Sequence, residues 1–226
     1  MEAIIFDMDG TLVDSEKVHR KAFFKGLDEL KVDYDYKEVL DFLIENQGIP
    51  DYVFTETFIE KNNLDIKLED IIRLKRSFYS KLISSEVEAY PGAVDFVKSF
   101  KDKYKLAIAT SSNENDMEDV LKKIGLFDIF DQKVSGAELE NPKPAPDIFL
   151  ITAEKLGIDI EECLIFEDSL HGLMAAKKSG AKVIAYDNKQ NDNDYMKDYY
   201  VIDDYRKISP VDLEIIIKKL EEKWKL

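Results

Sequence analysis

Short runs of consecutive apolar residues punctuate the chain, and each stops at polar or small residues. They are AIIFD (3–7), KLAIAT (105–110), QKVSG (132–136), CLIFED (163–168) and KVIAYD (182–187), with a weaker run YYVID (199–203). Runs of this length, bounded by turn-forming residues, predict buried strands. Between them apolar residues recur at helical spacing. GAVDFVKSFKDK (92–103) places Val94, Val97 and Phe100 on one helix face. DMEDVLKKIG (116–125), PDIFLITAEKLG (146–157) and SLHGLMAAKKSG (169–180) each close on a glycine suited to end a helix. SPVDLEIIIKKLEEKW (209–224) opens with a serine cap and a proline at the first helical position. Strand and helix alternate, which predicts an α/β fold with a mostly parallel sheet and right-handed crossovers.

Residues 15–88 break this rhythm. No strand-like run appears there, and four helical patterns follow one another: 16–31, 36–46, 51–62 and 67–83. One helix would suffice for a crossover, so this stretch reads as a helical insertion that returns to the sheet near YPG (90–92). The expected division is a core domain of residues 1–14 and 89–226 and a helical domain of residues 15–88. DNKQNDNDYMKD (187–198) reads as a polar surface loop or frayed helix that carries little information.

Composition narrows the class. With 45% hydrophobic residues the chain has ample material for a core, and a net charge of −15 argues against nonspecific attraction to nucleic acid or anionic membrane. An anionic substrate would need a local positive site. A single cysteine, Cys163, excludes an internal disulfide and a multi-cysteine zinc site. No basic-then-apolar leader and no long apolar run stand out, so the expectation is a soluble cytoplasmic protein, monomeric or weakly dimeric.

In parallel α/β sheets ligands bind beyond the carboxyl ends of the strands. The first strand ends in Asp7 and Asp9, the second in Thr110, Ser111 and Ser112, and the fourth in Glu167 and Asp168; Lys143 follows the third. Four carboxylates brought to one sheet edge would raise one another's pKa values without a cation. A hard divalent ion with oxygen ligands, Mg²⁺, relieves that repulsion. Glu167 and Asp168 alone would suit a helix N-terminus beside Ser169, but two acid pairs at corresponding strand ends point to a metal. A calcium loop does not fit, because Gly10 is fourth counting from Asp7 and Val18 stands at the twelfth position.

DMDGT (7–11), the apolar run into Thr110, Lys143 in PKPAPDIF and FEDS (166–169), in that order, resemble the four motifs of the haloacid dehalogenase superfamily. The resemblance covers the whole chain, including a helical cap inserted after the first motif, and implies a Rossmann-like core. It implies Asp7 as the nucleophile that forms an aspartyl-phosphate. It implies Asp9 as the acid that protonates the leaving oxygen and then deprotonates water, for which its pKa should be raised. Gly10 and Thr11 would bring backbone and hydroxyl groups to the phosphoryl oxygens, with Thr110, Ser111 and Ser112 beside them. Lys143 would neutralise charge on Asp7 and the phosphoryl group. Asp7, the carbonyl of Asp9 and Asp168 would hold Mg²⁺, with Glu167 a second candidate in the outer shell. Dehalogenases of the superfamily lack the acid at the position of Asp9, so its presence favours phosphoryl transfer.

For substrate contacts the resemblance points to His19 and Lys75, at places used in β-phosphoglucomutase-like members. Each also has a plainer reading: His19 as a surface residue near the hinge, Lys75 and Arg76 as a solvated helix face. His171 reads as structural. Mutases of the group keep an arginine in a cap loop for a distal phosphate, and ENQGIPDYVF (45–54) holds no arginine or lysine. The expected activity is therefore hydrolysis of a small phosphomonoester, a sugar or related metabolite phosphate. A mutase is the alternative, and a noncatalytic phospholigand-binding module ranks lower because all the motif acids are present.

Overall fold

The computed structural model describes residues 1–190 and 194–223. Six strands form one parallel sheet: β1 (Ala3–Phe6), β2 (Lys105–Thr110), β3 (Gln132–Ser135), β4 (Cys163–Glu167), β5 (Lys182–Tyr186) and β6 (Tyr200–Ile202), in the order β3-β2-β1-β4-β5-β6. Every apolar run named above lies in a strand. β1 is central, paired with β2 (Phe6 opposite Ile108) and with β4 (Phe6 opposite Phe166), so the ends of these three strands adjoin.

Alternation along the strands divides the core in two. Ile4, Phe6, Leu106, Ile108, Leu164 and Phe166 face one side, where large side chains predominate and Phe6 stacks on Phe166 at 4.9 Å. Ala3, Ile5, Ala107, Ala109 and Ile165 face the other, where small side chains accommodate α7 (Asp147–Leu156) and α8 (Leu170–Ser179). Gly157 and Gly180 end these helices at φ +70° and +91°, the left-handed geometry that the sequence pattern anticipated.

Between β1 and β2 lie α1 (Glu16–Glu29), α2 (Tyr36–Glu45), α3 (Asp51–Lys61), α4 (Leu68–Glu86) and the short α5 (Ala93–Lys98). The first four gather around an apolar cluster of their own, with Phe23, Phe42, Phe54 and Phe58 at its centre. The chain crosses into and out of this layer on two segments that pair with each other. Asp14 N donates to Glu88 O (2.8 Å) and Tyr90 N to Leu12 O (2.9 Å), on either side of an antiparallel bridge between Val13 and Ala89.

Two expectations need correction. The helix expected over 92–103 stops at Lys98, because Ser99 Oγ donates back to Phe96 O and the amides of Phe100, Lys101 and Lys103 reach only three residues back, which tightens the turn and ends it. The segment 187–198 carries more than expected, as Asn188 Nδ2 donates to Asp168 Oδ2 (2.9 Å), Tyr195 OH to Asp168 O (2.9 Å) and Gln190 Nε2 to Asp14 Oδ1 (2.7 Å); residues 191–193 lie outside the described residues. α6 (Glu114–Lys123) lies between β2 and β3. α9 (Pro210–Lys223) begins as expected, and the predicted end at Trp224 is also outside the described residues. No helix among the described residues is long and apolar enough to cross a membrane.

Candidate active site

β1 delivers Asp7 to the sheet edge beside β4, with Asp7 N bonded to Phe166 O at 3.0 Å. Alternation then turns Met8 into the core and Asp9 toward the helical layer. Gly10 follows at φ +81°, and a Cβ there would meet Asp168 Oδ2 at 2.2 Å, so only glycine lets the turn pass so close to that acid.

Lys143 is buried with Nζ 2.7 Å from both Asp7 Oδ1 and Glu167 Oε1. The other oxygen of Glu167 accepts from Ser169 N (2.7 Å) and Ser169 Oγ (3.1 Å). Glu167 tucks in there only because Gly172 has no side chain, since a Cβ would lie 1.6 Å from Oε1. Both oxygens of Glu167 are thus engaged inside the protein, an arrangement that suits the outer-shell place expected of it. Asp168 accepts from Thr11 Oγ1 (2.8 Å), Asn188 Nδ2 (2.9 Å) and, from the helical layer, Gln47 Nε2 (3.0 Å).

Burial pushes the Asp7 carboxyl well above the usual range, against the pull of Lys143, and Glu167 and Asp9 push it further. Asp168 is raised by burial and then by Glu167 and Asp7. Lys143 moves up as well: burial alone would lower it, but the two adjoining carboxylates outweigh burial. Lys143 pairs with Asp7 and Glu167, and Asp168, buried beside them, adds a third carboxylate, so negative charge on oxygen ligands is in excess. That chemistry fits a hard divalent cation. Among the described residues no group of three or more His, Cys, Asp or Glu side chains gathers to hold an ion. Two carboxylates, a main-chain carbonyl and water are a donor set suited to Mg²⁺, and Asp7, Asp168 and the carbonyl of Asp9 are the groups that would supply it.

Asp9 is surrounded by donors. Ser15 Oγ (2.5 Å) and His19 Nε2 (3.2 Å) meet Oδ1, while Thr110 Oγ1 (3.1 Å) and Ser112 Oγ (2.7 Å) meet Oδ2. Burial would raise its pKa, but His19 and the hydrogen bonds from His19, Ser15 and Ser112 outweigh burial and hold it well below the carboxylate range. This reverses the raised value expected from sequence. The physical reason is that every donor within reach stabilises the anion.

Asp7, Asp9, Thr110, Ser111 and Ser112 share one cavity with His19 and Lys75. Its volume is about 70 Å³, room for a handful of waters at roughly 10–15 Å³ each. His19 stacks on Tyr79 with ring centroids 3.9 Å apart, so it is not a free surface residue. Lys75 is 4% exposed and paired with Asp51, which corrects the solvated-face reading; Arg76 is exposed as expected. Ser111 Oγ donates to Gly48 O at 2.7 Å, and His171 Nδ1 lies 3.1 Å from Gln47 O, so both tie the 47–48 loop to the core. Gly10 and Thr11, expected at the substrate, adjoin Asp168 and are not among the residues lining the cavity.

Sequence reasoning did not single out Ser15, Glu16, Arg20, Gln47, Asp51 or Asn188. Glu16, His19, Arg20 and Phe23 follow helical spacing on one face of α1 and all line the cavity, a signal that was present in the sequence. Gln47, Asp51 and Asn188 come from separate loops and helix ends, and no local pattern marks them.

Residues 4–186 match the sequence profile described as haloacid dehalogenase-like hydrolase. Fructose-1-phosphate phosphatase YqaB of Escherichia coli is 33% identical over 181 residues, spanning 80% of this chain and 94% of that protein. A crystal structure of β-phosphoglucomutase from Clostridium difficile superposes with a TM-score of 0.82 at 25% identity, covering 100% of both chains. A mutant of CbbY from Rhodobacter sphaeroides, crystallised in complex with xylulose-(1,5)bisphosphate, also gives a TM-score of 0.82, at 27% identity over 91% of this chain and 95% of that one. Motif acids on adjoining strand ends, a helical insertion directly after the first of them, and likeness along most of the chain lead to one conclusion: the chain belongs to the haloacid dehalogenase-like hydrolases, in their β-phosphoglucomutase and sugar-phosphatase branch.

Proposed function

We propose that the chain is a Mg²⁺-dependent phosphatase of small phosphomonoesters, sugar or related metabolite phosphates, that works through an aspartyl-phosphate. The observation that carries this reading is the pair Asp7 and Asp9, one bound to a buried ammonium and the other facing hydroxyls and His19, in one cavity. Residues 15–88 are proposed as the cap that closes over it, with residues 1–14 and 89–226 as the core.

Asp7 attacks phosphorus through a carboxylate oxygen, and the bond from phosphorus to the ester oxygen breaks. The leaving oxygen takes a proton from Asp9. Water then gives a proton to Asp9 and attacks the same phosphorus, releasing inorganic phosphate and restoring both carboxyl groups. Lys143 holds Asp7 in place and offsets charge that develops on the phosphoryl group. Thr110 and Ser112, bonded to Asp9 in the free protein, are placed to exchange that partner for phosphoryl oxygens. Asp7, Asp168 and the carbonyl of Asp9 would hold Mg²⁺, which when bound would supply positive charge that lets an anionic carboxylate approach an anionic ester.

Asp9 must gain a proton before it can give one. An arriving phosphoryl dianion supplies the negative charge that raises its pKa, and it competes for the hydroxyls that hold the anion. Hydrolysis is preferred to mutase chemistry because the cap loop brings Asp51, and no arginine or lysine of its own, to the cavity wall. The deciding experiment is a phosphate-release screen over phosphorylated metabolites with Mg²⁺, including β-glucose 1-phosphate with detection of glucose 6-phosphate. Release of phosphate supports the proposal, glucose 6-phosphate would replace it with a mutase, and ligand binding without turnover would leave a noncatalytic module.

A further inference from the structure

The cap side of the cavity has an unusual charge balance. Two cationic side chains line it, and each stands beside its own acid: Arg20 beside Glu16 at 3.8 Å across one helical turn, and Lys75 beside Asp51; His19 faces Asp9 at 3.2 Å. Asp51 stays ionised, because Lys75 outweighs the burial that would otherwise raise it. Positive charge without a counter-ion is therefore absent from this wall among the described residues, whereas the Asp7 end is where charge on a phosphoryl group would be compensated. At the same time the wall is rich in hydrogen-bonding groups. Arg20 Nη1 is buried with no acceptor, and Phe23 and Phe54 supply apolar faces beside it.

A second phosphate placed here would be desolvated next to Glu16 and Asp51, with the cations already committed to those acids. Hydroxyl groups meet no such obstacle, since each can donate to a carboxylate and accept from a guanidinium or ammonium. We propose that the cap end of the cavity receives an uncharged polyhydroxyl moiety, and that Asp51, seconded by Glu16, makes it reject a second anionic group. The chain would thus act on sugar monophosphates in preference to the corresponding bisphosphates. Arg20 Nη1 would donate to a substrate hydroxyl. This inference rests on the reading of Asp7 and Asp9 as the phosphate-cleaving end of the cavity.

The test compares kcat/KM for matched pairs, ketose and aldose monophosphates against their bisphosphates, in the wild-type chain and in Asp51→Asn and Asp51→Glu. p-Nitrophenyl phosphate, which presents neither hydroxyls nor a second charge, is assayed on the wild type to check the phosphatase reading by itself. The expected wild-type preference for monophosphates is about tenfold or more, equivalent to about 1.4 kcal/mol. Asp51→Asn should shrink it at least several-fold, mainly through a lower KM for the bisphosphate, while Asp51→Glu, which keeps the charge, should retain it. A wild-type preference for bisphosphates, or a ratio unmoved in Asp51→Asn, overturns the inference even if p-nitrophenyl phosphate is cleaved. If no phosphomonoester is cleaved, the phosphatase reading fails, and calorimetric binding of the same pairs decides the specificity. Tighter binding of the bisphosphates to the wild type, or relative affinities unchanged by Asp51→Asn, would then overturn it.

Discussion

Replacing Lys143 with methionine removes one charge from the most crowded part of the chain while keeping much of the side chain's volume. Nζ bridges Asp7 and Glu167 at 2.7 Å to each, with side-chain exposures of 1%, 7% and 0%. The variant leaves these two acids, and Asp168 beside them, buried without a cation. Breaking a buried ion pair by deleting one partner costs about 3–5 kcal/mol. An upper bound comes from protonation, because placing a proton on an ordinary carboxyl near neutral pH costs roughly 4–5 kcal/mol, at about 1.4 kcal/mol for each pH unit. Asp7 is already raised by burial, so its protonation costs less than that bound.

We therefore expect Lys143→Met to lose about 3–4 kcal/mol near neutral pH, with the loss shrinking by as much as ~1.4 kcal/mol for each pH unit toward acid. The sign follows from proton counts. In the variant the folded chain holds protons that the unfolded chain has released, so stability falls as pH rises. Urea unfolding followed by circular dichroism, in the presence of a chelator and at several pH values between about 5.5 and 7.5, measures this directly. A loss below ~1 kcal/mol, or one that does not change with pH, would refute Lys143 as the counter-ion of the site.

Asp7→Asn should abolish phosphate release while the circular dichroism spectrum stays that of the parent chain. Asp9→Asn should lower turnover by about 10²–10⁴-fold, most with poor leaving groups, and equal loss across a leaving-group series would remove it as the general acid. Because Asp9 is ionised in the free protein and must be protonated to act, vanadate binding with Mg²⁺ near neutral pH should take up close to one proton, read by calorimetry in buffers of different ionisation enthalpy. Mg²⁺ should stabilise the chain by about 2.7 kcal/mol at a hundredfold excess over its Kd. Asp7 and Asp168 have raised pKa values, so their contribution to stability is lost as pH rises, and the Mg²⁺ increment should grow in the same direction. Gly172→Ala should destabilise by more than about 3 kcal/mol, because its Cβ cannot coexist with buried Glu167; a thermal melt near that of the parent would contradict the packing.

Much of the fold was legible because the inner strands β1, β2, β4 and β5 are buried on both faces and write themselves as nearly unbroken apolar runs. Helix ends were legible where a glycine or serine performs a local task, as at Gly157, Gly180 and Ser169. The shortened α5 was not, since the competing bond from Ser99 to Phe96 O looks like any serine after a helical run. In the site, the acids at strand ends could be read from spacing alone. The charge state of Asp9 could not, because it depends on Ser15 and His19 from one helix and Thr110 and Ser112 from another strand. Lys75 was misjudged for a related reason. Its burial is decided by Asp51, twenty-four residues away on a different helix.

The paired segments Leu12–Asp14 and Glu88–Tyr90 have a mechanical consequence. Two crossings bonded to each other as a ribbon behave as a door hinge rather than a ball joint. Bending across the ribbon is soft, whereas sliding or swivelling would require backbone bonds to break. If the helical layer acts as the proposed cap, opening and closing would follow one path, and each return would bring Gln47 back to Asp168 and Gly48 back to Ser111 in the same alignment. Alignment over the site would thus be stored in main-chain atoms of the ribbon, next to Asp9, and would survive any change of side chain there that leaves those bonds intact.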